Sequence, residues 1–254
     1  AKIRTIIFFF ICINIVEGII FFTFELIKPF IGFALFASNW QHIYIFGIVH
    51  SLPSLALVID THPKDIMNEP PRDEEQLLNK NMWIMLLIQA FLIGIGLILA
   101  LQLTLSEFIP LNEWNLNPNL SYLDPFIDID PLVTHSNLVA GKARTMFITT
   151  IFIVETNFIW TFRRPNKSMY KSLKEELSYS LLVVCLFTLA IHVLYILFSQ
   201  TVNHYVNDIF NLHLNINFMF LSGTDWLICI LLALPGFIGV ELFKYFARER
   251  NIHF

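Results

Sequence analysis

Six apolar runs separated by polar stretches set the rhythm of the 254-residue chain. They fall at about 6–27, 41–60, 82–105, 145–162, 180–198 and 226–246. A helix needs roughly 20 apolar residues to cross a bilayer core, and each run is close to that length. The pattern predicts an all-α integral membrane protein, a six-transmembrane-helix bundle that forms one domain over 1–254. The second and fourth runs are the most polar. Between the runs, residues 61–81 carry "NEPPRDEE", too polar and too rich in proline to continue a helix. Residues 163–179 form a second, basic connection. Residues 106–143 form a long one, and the asparagines and prolines of "LNEWNLNPNLSYLDPFIDIDPL" predict irregular structure there. Asn119 in that stretch fits a glycosylation acceptor pattern, one that is common by chance. Residues 202–223 make a shorter connection.

Composition agrees with the pattern. The chain is 56% hydrophobic and 14% charged, where a soluble domain of this size would need a more polar surface. Charge then orients the bundle. Of the 16 lysines and arginines, all but Lys28, Lys142 and Arg144 fall on one side of a six-span topology. Cytoplasmic loops carry the excess of such residues, so both termini and the loops 61–81 and 163–179 are expected in the cytoplasm. The basic residues follow topology rather than forming an aromatic-interleaved patch, which excludes nucleic acid as a partner. The partner that the composition does imply is the lipid bilayer. Cys12, Cys185 and Cys229 all lie inside apolar runs, with no metal-ligand spacing, and read as small apolar fillers.

Ionisable side chains at membrane depth are the candidate chemistry. Each costs about 2.5–3.5 kcal/mol to insert at a helix centre, so each asks for a reason. Asn14 and Glu17 stand three residues apart in the first span, on one broad helix face. His50 stands in the second, three residues before Pro53. Glu155 lies midway along the fourth, near Asn157, and His192 lies in the fifth. A lone histidine such as His192 suits an interhelical hydrogen bond better than a ligand role, and Asn14 by itself would suit one too. Two mid-depth glutamates are harder to explain as structure, since they must pair, hold a proton or bind a cation. Pro53 removes a backbone hydrogen bond from the second span. Carbonyls freed in this way are tolerated at depth only against protein or a polar cavity, and interrupted helices near acidic side chains are a recurring cation-site design. Glu25 and Glu241 lie near span ends, within reach of water. Pro235 reads as a structural kink.

The segment "LPSLALVIDTHPKDIMNEPPRDEEQLL" resembles the end of the sixth membrane helix, and the loop after it, of type II P-type cation ATPases; DIM, PPR and LL fall at that family's spacings. "KIRTIIFFFICINIVEGIIFF" looks like the family's fifth helix, "ARTMFITTIFIVETNFIWTF" like its eighth, and "LSGTDWLICILLALPGFIGVELFKYFARE" like its tenth. The resemblance covers nearly the whole chain and only the C-terminal membrane half of such a pump. It implies that a transported cation lies among these helices, with Asn14 and Glu17 matching fifth-helix ligands and Glu155 the eighth-helix carboxylate. The sixth helix departs from the pattern. In "QHIYIFGIVHSLP", Phe46 stands for the ligand Asn, Val49 for the Thr and His50 for the Asp. That loss weakens a site for calcium, which wants six to eight oxygens. Imidazole suits a transition metal or a proton-linked site, and equally a site that no longer transports.

The family transfers phosphate to the aspartate of a DKTGT motif, and these residues contain neither that motif nor the TGE of its actuator. The resemblance therefore places ATP hydrolysis on upstream sequence or a separate chain, with no cofactor in this one beyond a transported cation. Two readings follow. The chain is the membrane part of a cation pump, with Asn14, Glu17, His50 and Glu155 around the ion. Alternatively it is a stand-alone, pump-derived membrane subunit with a structural or regulatory role among other membrane subunits.

Overall fold

The computed structural model describes residues 2–31, 39–60, 80–112, 131–210 and 218–250. Every element among them is helical: α1 (Lys2–Ile31), α2 (Asn39–Tyr44), a π-helical turn (Ile45–His50), α3 (Ser51–Ile59), α4 (Lys80–Leu105), α5 (Pro131–Phe162), the short α6 (Met169–Glu175), α7 (Tyr179–Phe210) and α8 (Gly223–Glu249). Five stretches are long and apolar enough to cross a membrane: Gln41–Ile59, Lys80–Leu105, Leu138–Phe162, Tyr179–Phe198 and Gly223–Glu249. The apolar stretch Ile6–Ile20 of α1 is shorter. Large apolar side chains such as Phe22, Phe91, Leu87 and Leu231 point outward, the surface a chain presents to lipid rather than to water. Of the expected connections, residues 61–79, 113–130 with Asn119, and 211–217 lie outside the described residues, while residues 202–210, also expected to connect spans, continue α7.

The elements also correct the sequence reading in two other places. The fourth span was expected to start at 145, yet α5 begins at Pro131. Lys142 and Arg144 read as loop residues, but Lys142 is fully buried. It donates to the Pro110 carbonyl at 2.6 Å and pairs with Asp225 Oδ1 at 3.0 Å. Asp225 also completes a capping box with Ser222 at the start of α8. The basic connection after α5 contains α6, capped by Ser168, whose hydroxyl accepts from the Lys171 N–H. Pro235 lies inside α8, which runs on past it to Glu249.

The most polar long span is also the most enclosed. α5 packs on α4 and α8, and α1 and α3 close over its other side. Its buried Thr145, Thr150 and Thr161 turn their hydroxyls back to carbonyls one helical turn earlier, which satisfies them within apolar surroundings. α4 and α8 approach so closely that a Cβ on Gly96 would stand 2.3 Å from the Leu232 carbonyl oxygen. Small residues at such a crossing let backbones meet, and the obstacle here is backbone, which cannot swing aside. Gly96→Ala should therefore cost about 1–3 kcal/mol by overpacking, read as a lower unfolding midpoint in detergent. Gly94→Ala, where a Cβ meets nothing within 4 Å, should leave the midpoint in place.

A buried ionic network ties the ends of α3 and α5 to α6. Asp60 Oδ2, just past α3, accepts from Arg163 Nε at 2.6 Å and Arg164 Nη1 at 3.4 Å. Arg164 Nε donates to Glu176 Oε2 at 2.6 Å, Lys167 Nζ to Glu176 Oε1 at 2.7 Å, and Arg163 also donates to the Glu176 carbonyl. Lys244, wholly buried on α8, donates to the last carbonyls of α5 and its following turn, at Thr161, Arg164 and Lys167. Burial pushes the Glu176 carboxyl up, but the Lys167 and Arg164 hydrogen bonds and charges outweigh it and hold it below its usual range. Its stabilising contribution is thus complete above the unfolded carboxylate value of about 4.3 and is lost as pH falls through the lower folded value. Acid titration of the unfolding midpoint should show this loss, and Glu176→Gln should flatten it.

Candidate functional site

The site is assembled from three helical segments. α1 buries Phe9, Ile13, Val16, Glu17 and Ile20 along one stripe, while Asn14, Gly18 and Phe22, each four residues on, form an exposed one. Glu17 is therefore carried into the bundle at 4% exposure. Asn14 is not: its Nδ2 donates back to the Phe10 carbonyl at 2.7 Å. Residues at i and i+3 are about 60° apart around a helix, and the edge of the buried stripe passes between these two.

His50 closes the π-helical turn. Pro53 has no N–H to offer the Val49 carbonyl, and the backbone answers by widening the preceding turn rather than by unwinding. The disturbed ladder expected at Pro53 thus takes the form of a π-helical turn. Ser51 Oγ donates to the Phe46 carbonyl at 2.6 Å and Ser54 Oγ to that of Ser51 at 2.8 Å, so hydroxyls of the same segment serve its carbonyls. The two positions at which the resemblance expects further oxygen ligands present no side-chain oxygen. Val49 is fully buried, and the Phe46 ring lies edge-on to the His50 imidazole with centroids 5.2 Å apart.

Glu155 comes from α5, about two turns before its C-terminal end. His50 Nε2 lies 3.0 Å from Glu17 Oε2, and His50 Nδ1 lies 2.7 Å from Glu155 Oε1. All three side chains are at most 5% exposed. The second approach is close in distance but off hydrogen-bond direction. Glu17 Oε1, His50 Nδ1 and both Glu155 oxygens are consequently buried with no hydrogen-bond partner. Buried polar atoms are rarely left so, and the donors these residues offer lie within 4.8 Å of one another, close enough to share one cation. A cavity of ≈ 10 Å³ adjoins Glu17 and Glu155, enough for about one water. Its other walls are apolar, including Ile13, Val16, Ile93, Leu97 and Phe158. The set of one imidazole and two carboxylates thus fits a single small cation held largely dry.

His192 is no part of this cluster. Its Nδ1 meets the Tyr44 hydroxyl at 2.6 Å, its Nε2 the Thr149 hydroxyl at 3.1 Å, and its ring stacks on Phe152. Both nitrogens are used between helices. Two polar contacts escaped the sequence reading. Cys12, taken as a filler, sends its thiol to Gln89 Oε1 at 3.4 Å, and the Gln89 amide nitrogen is buried without a partner. The signal for Gln89 was an amide in the middle of an apolar span. For the Lys142–Asp225 pair there was no local signal, since its partners are 83 residues apart in sequence and meet only in the packed bundle.

The family model described as "Cation transporting ATPase, C-terminus" matches residues 41–246. The match takes in His50 and Glu155 and begins after α1 and Glu17. No curated protein matches the chain. With four-fifths of the residues aligned, apolar helices of spanning length and ionisable groups gathered inside them, the chain belongs to the family of cation-transporting ATPase C-terminal membrane regions.

Proposed function

We propose that the chain is the membrane part of a P-type cation pump and that Glu17, His50 and Glu155 contact the transported ion. One observation carries this reading: three ionisable side chains from separate helices converge inside the bundle, and several of their donor atoms have no hydrogen-bond partner. Desolvated carboxylates left in that state want a proton or a cation. Six spans with both termini in the cytoplasm suit the distribution of lysine and arginine, and α1 supplies the sixth span with the first carboxylate. The phosphorylation and nucleotide chemistry is supplied by sequence upstream or by a separate chain. ATP-driven cation uptake into vesicles, comparing wild type with Glu17→Gln and Glu155→Gln, tests the assignment.

A second reading has its own support. His50 lies between the two carboxylates, where an imidazolium would itself serve as the cation. The chain would then be a pump-derived subunit that holds a complex together without carrying ions, and uptake would be indifferent to both glutamine substitutions.

A further inference from the structure

We infer that the Glu17–His50–Glu155 site selects a divalent transition-metal ion of borderline softness, such as Mn²⁺, Co²⁺ or Zn²⁺, over Ca²⁺ or an alkali ion. This rests on the cation-site reading above and adds the class of ion. The donor set argues first. It offers one nitrogen and two carboxylates, and the Phe46 and Val49 side chains bring no oxygen from the neighbouring turn. Calcium takes six to eight oxygens, whereas imidazole with carboxylate suits first-row divalent metals. Space argues second. A ≈ 10 Å³ cavity walled by Ile13, Val16, Leu97 and Phe158 has room for about one water. Three protein ligands leave a four-coordinate ion about one position short and a calcium shell about three or more short.

Geometry and support agree. Ligands bound at about 2.0–2.2 Å to one ion lie at most about 4.4 Å apart, and the three donors already lie within 4.8 Å of one another. Small side-chain rotations close the difference. The Glu17 carboxylate holds the imidazole ring through Oε2, 3.0 Å from Nε2, keeps Oε1 without a hydrogen-bond partner for the ion, and leaves Nδ1 turned toward Glu155. Metal-ligating histidines are commonly oriented in this way by a carboxylate on the other ring nitrogen. Glu155 supplies the second independent sign of a ligand. Its side chain is 1% exposed, it lines the cavity, and neither oxygen has a hydrogen-bond partner.

The test is equilibrium dialysis with metal analysis on the purified protein, kept with the chains that accompany it. Co²⁺, Zn²⁺, Mn²⁺, Ca²⁺ and Na⁺ are each offered alone, with the Co²⁺ visible spectrum as a coordination readout. Wild type should bind one Co²⁺ or Zn²⁺ per chain at this site, more tightly than Ca²⁺. Removing groups that only support a ligand already weakens metal binding about 10–100-fold, so His50→Asn and Glu155→Gln should each cost at least that. If Ca²⁺ or Na⁺ binds more tightly than Co²⁺ or Zn²⁺ and depends on Glu17 and Glu155, the ion class is wrong and the cation site stands. Binding of no ion, or metal binding untouched by both substitutions, overturns the site as well as the class. The wild-type comparison of Co²⁺ with Ca²⁺ needs no variant, so the inference remains open to refutation if a substitution prevents folding.

Discussion

Glu155→Gln in the assembled pump is expected to abolish ATP-driven cation uptake while leaving the bundle folded. Glu155 is 1% exposed and both of its oxygens lack a hydrogen-bond partner. Its ionic contact within the protein is His50 Nδ1 at 2.7 Å, and in the proposed site the same charge faces the ion. Glutamine keeps the shape and one oxygen but removes the charge. Breaking a buried ionic contact in this way costs about 3–5 kcal/mol, and at about 1.4 kcal/mol per decade that is a 100-fold or greater loss of affinity. The Glu17–His50 contact at 3.0 Å remains, so the packing of α1 on the π-helical turn should survive. Glu17→Gln should act in the same direction and less completely, because its amide oxygen can still meet His50 Nε2. Uptake of ion into vesicles, with the unfolding midpoint measured in parallel, separates loss of the ion contact from loss of the fold. Unchanged uptake in both variants would favour the non-transporting subunit.

The second large effect is on stability. Asp60→Ala removes the carboxylate shared by Arg163 and Arg164, both nearly fully buried. Guanidinium groups taken out of water need their counter-charges, and removing one partner of a buried pair costs about 3–5 kcal/mol. At about 2–4 °C per kcal/mol for a chain near this size, the unfolding midpoint in detergent should fall by roughly 10 °C. Asp60→Asn keeps an acceptor for Arg163 Nε and should lose less. The site lies on the helices that this network anchors: Asp60 follows α3, which continues from the turn bearing His50, and Arg163 follows α5, which bears Glu155. Asp60→Ala should thus loosen the site indirectly, and a drop in uptake there should track the loss of folded protein.

What was legible in the sequence was whatever insertion into a membrane forces into local composition. Apolar runs gave the helices, because a lipid-facing helix must be apolar along its length. Glu17, His50 and Glu155 stood out because an ionisable group at depth needs a reason, and packing brings these three together. Asn14 shows the limit of spacing. Its separation from Glu17 placed both on one broad face, but only the neighbouring helices define where the buried stripe ends. Pro53 shows another. A missing N–H announces a disturbed ladder without saying whether the helix unwinds or widens, and here it widens into a π-helical turn. Lys142 was read as an outer-loop cation because its partner Asp225 is remote in sequence. Paired and buried, it belongs to α5, which starts at Pro131 rather than at 145.

The most direct test is a structure of the complete protein with Mn²⁺ or Zn²⁺ present, collected for anomalous signal. The account predicts one anomalous peak within about 2.0–2.2 Å of His50 and a Glu155 oxygen, with Glu17 alongside. Its contradiction would be a metal-saturated protein without a peak there, His50 hydrogen-bonded to both carboxylates and the neighbouring cavity closed by apolar side chains.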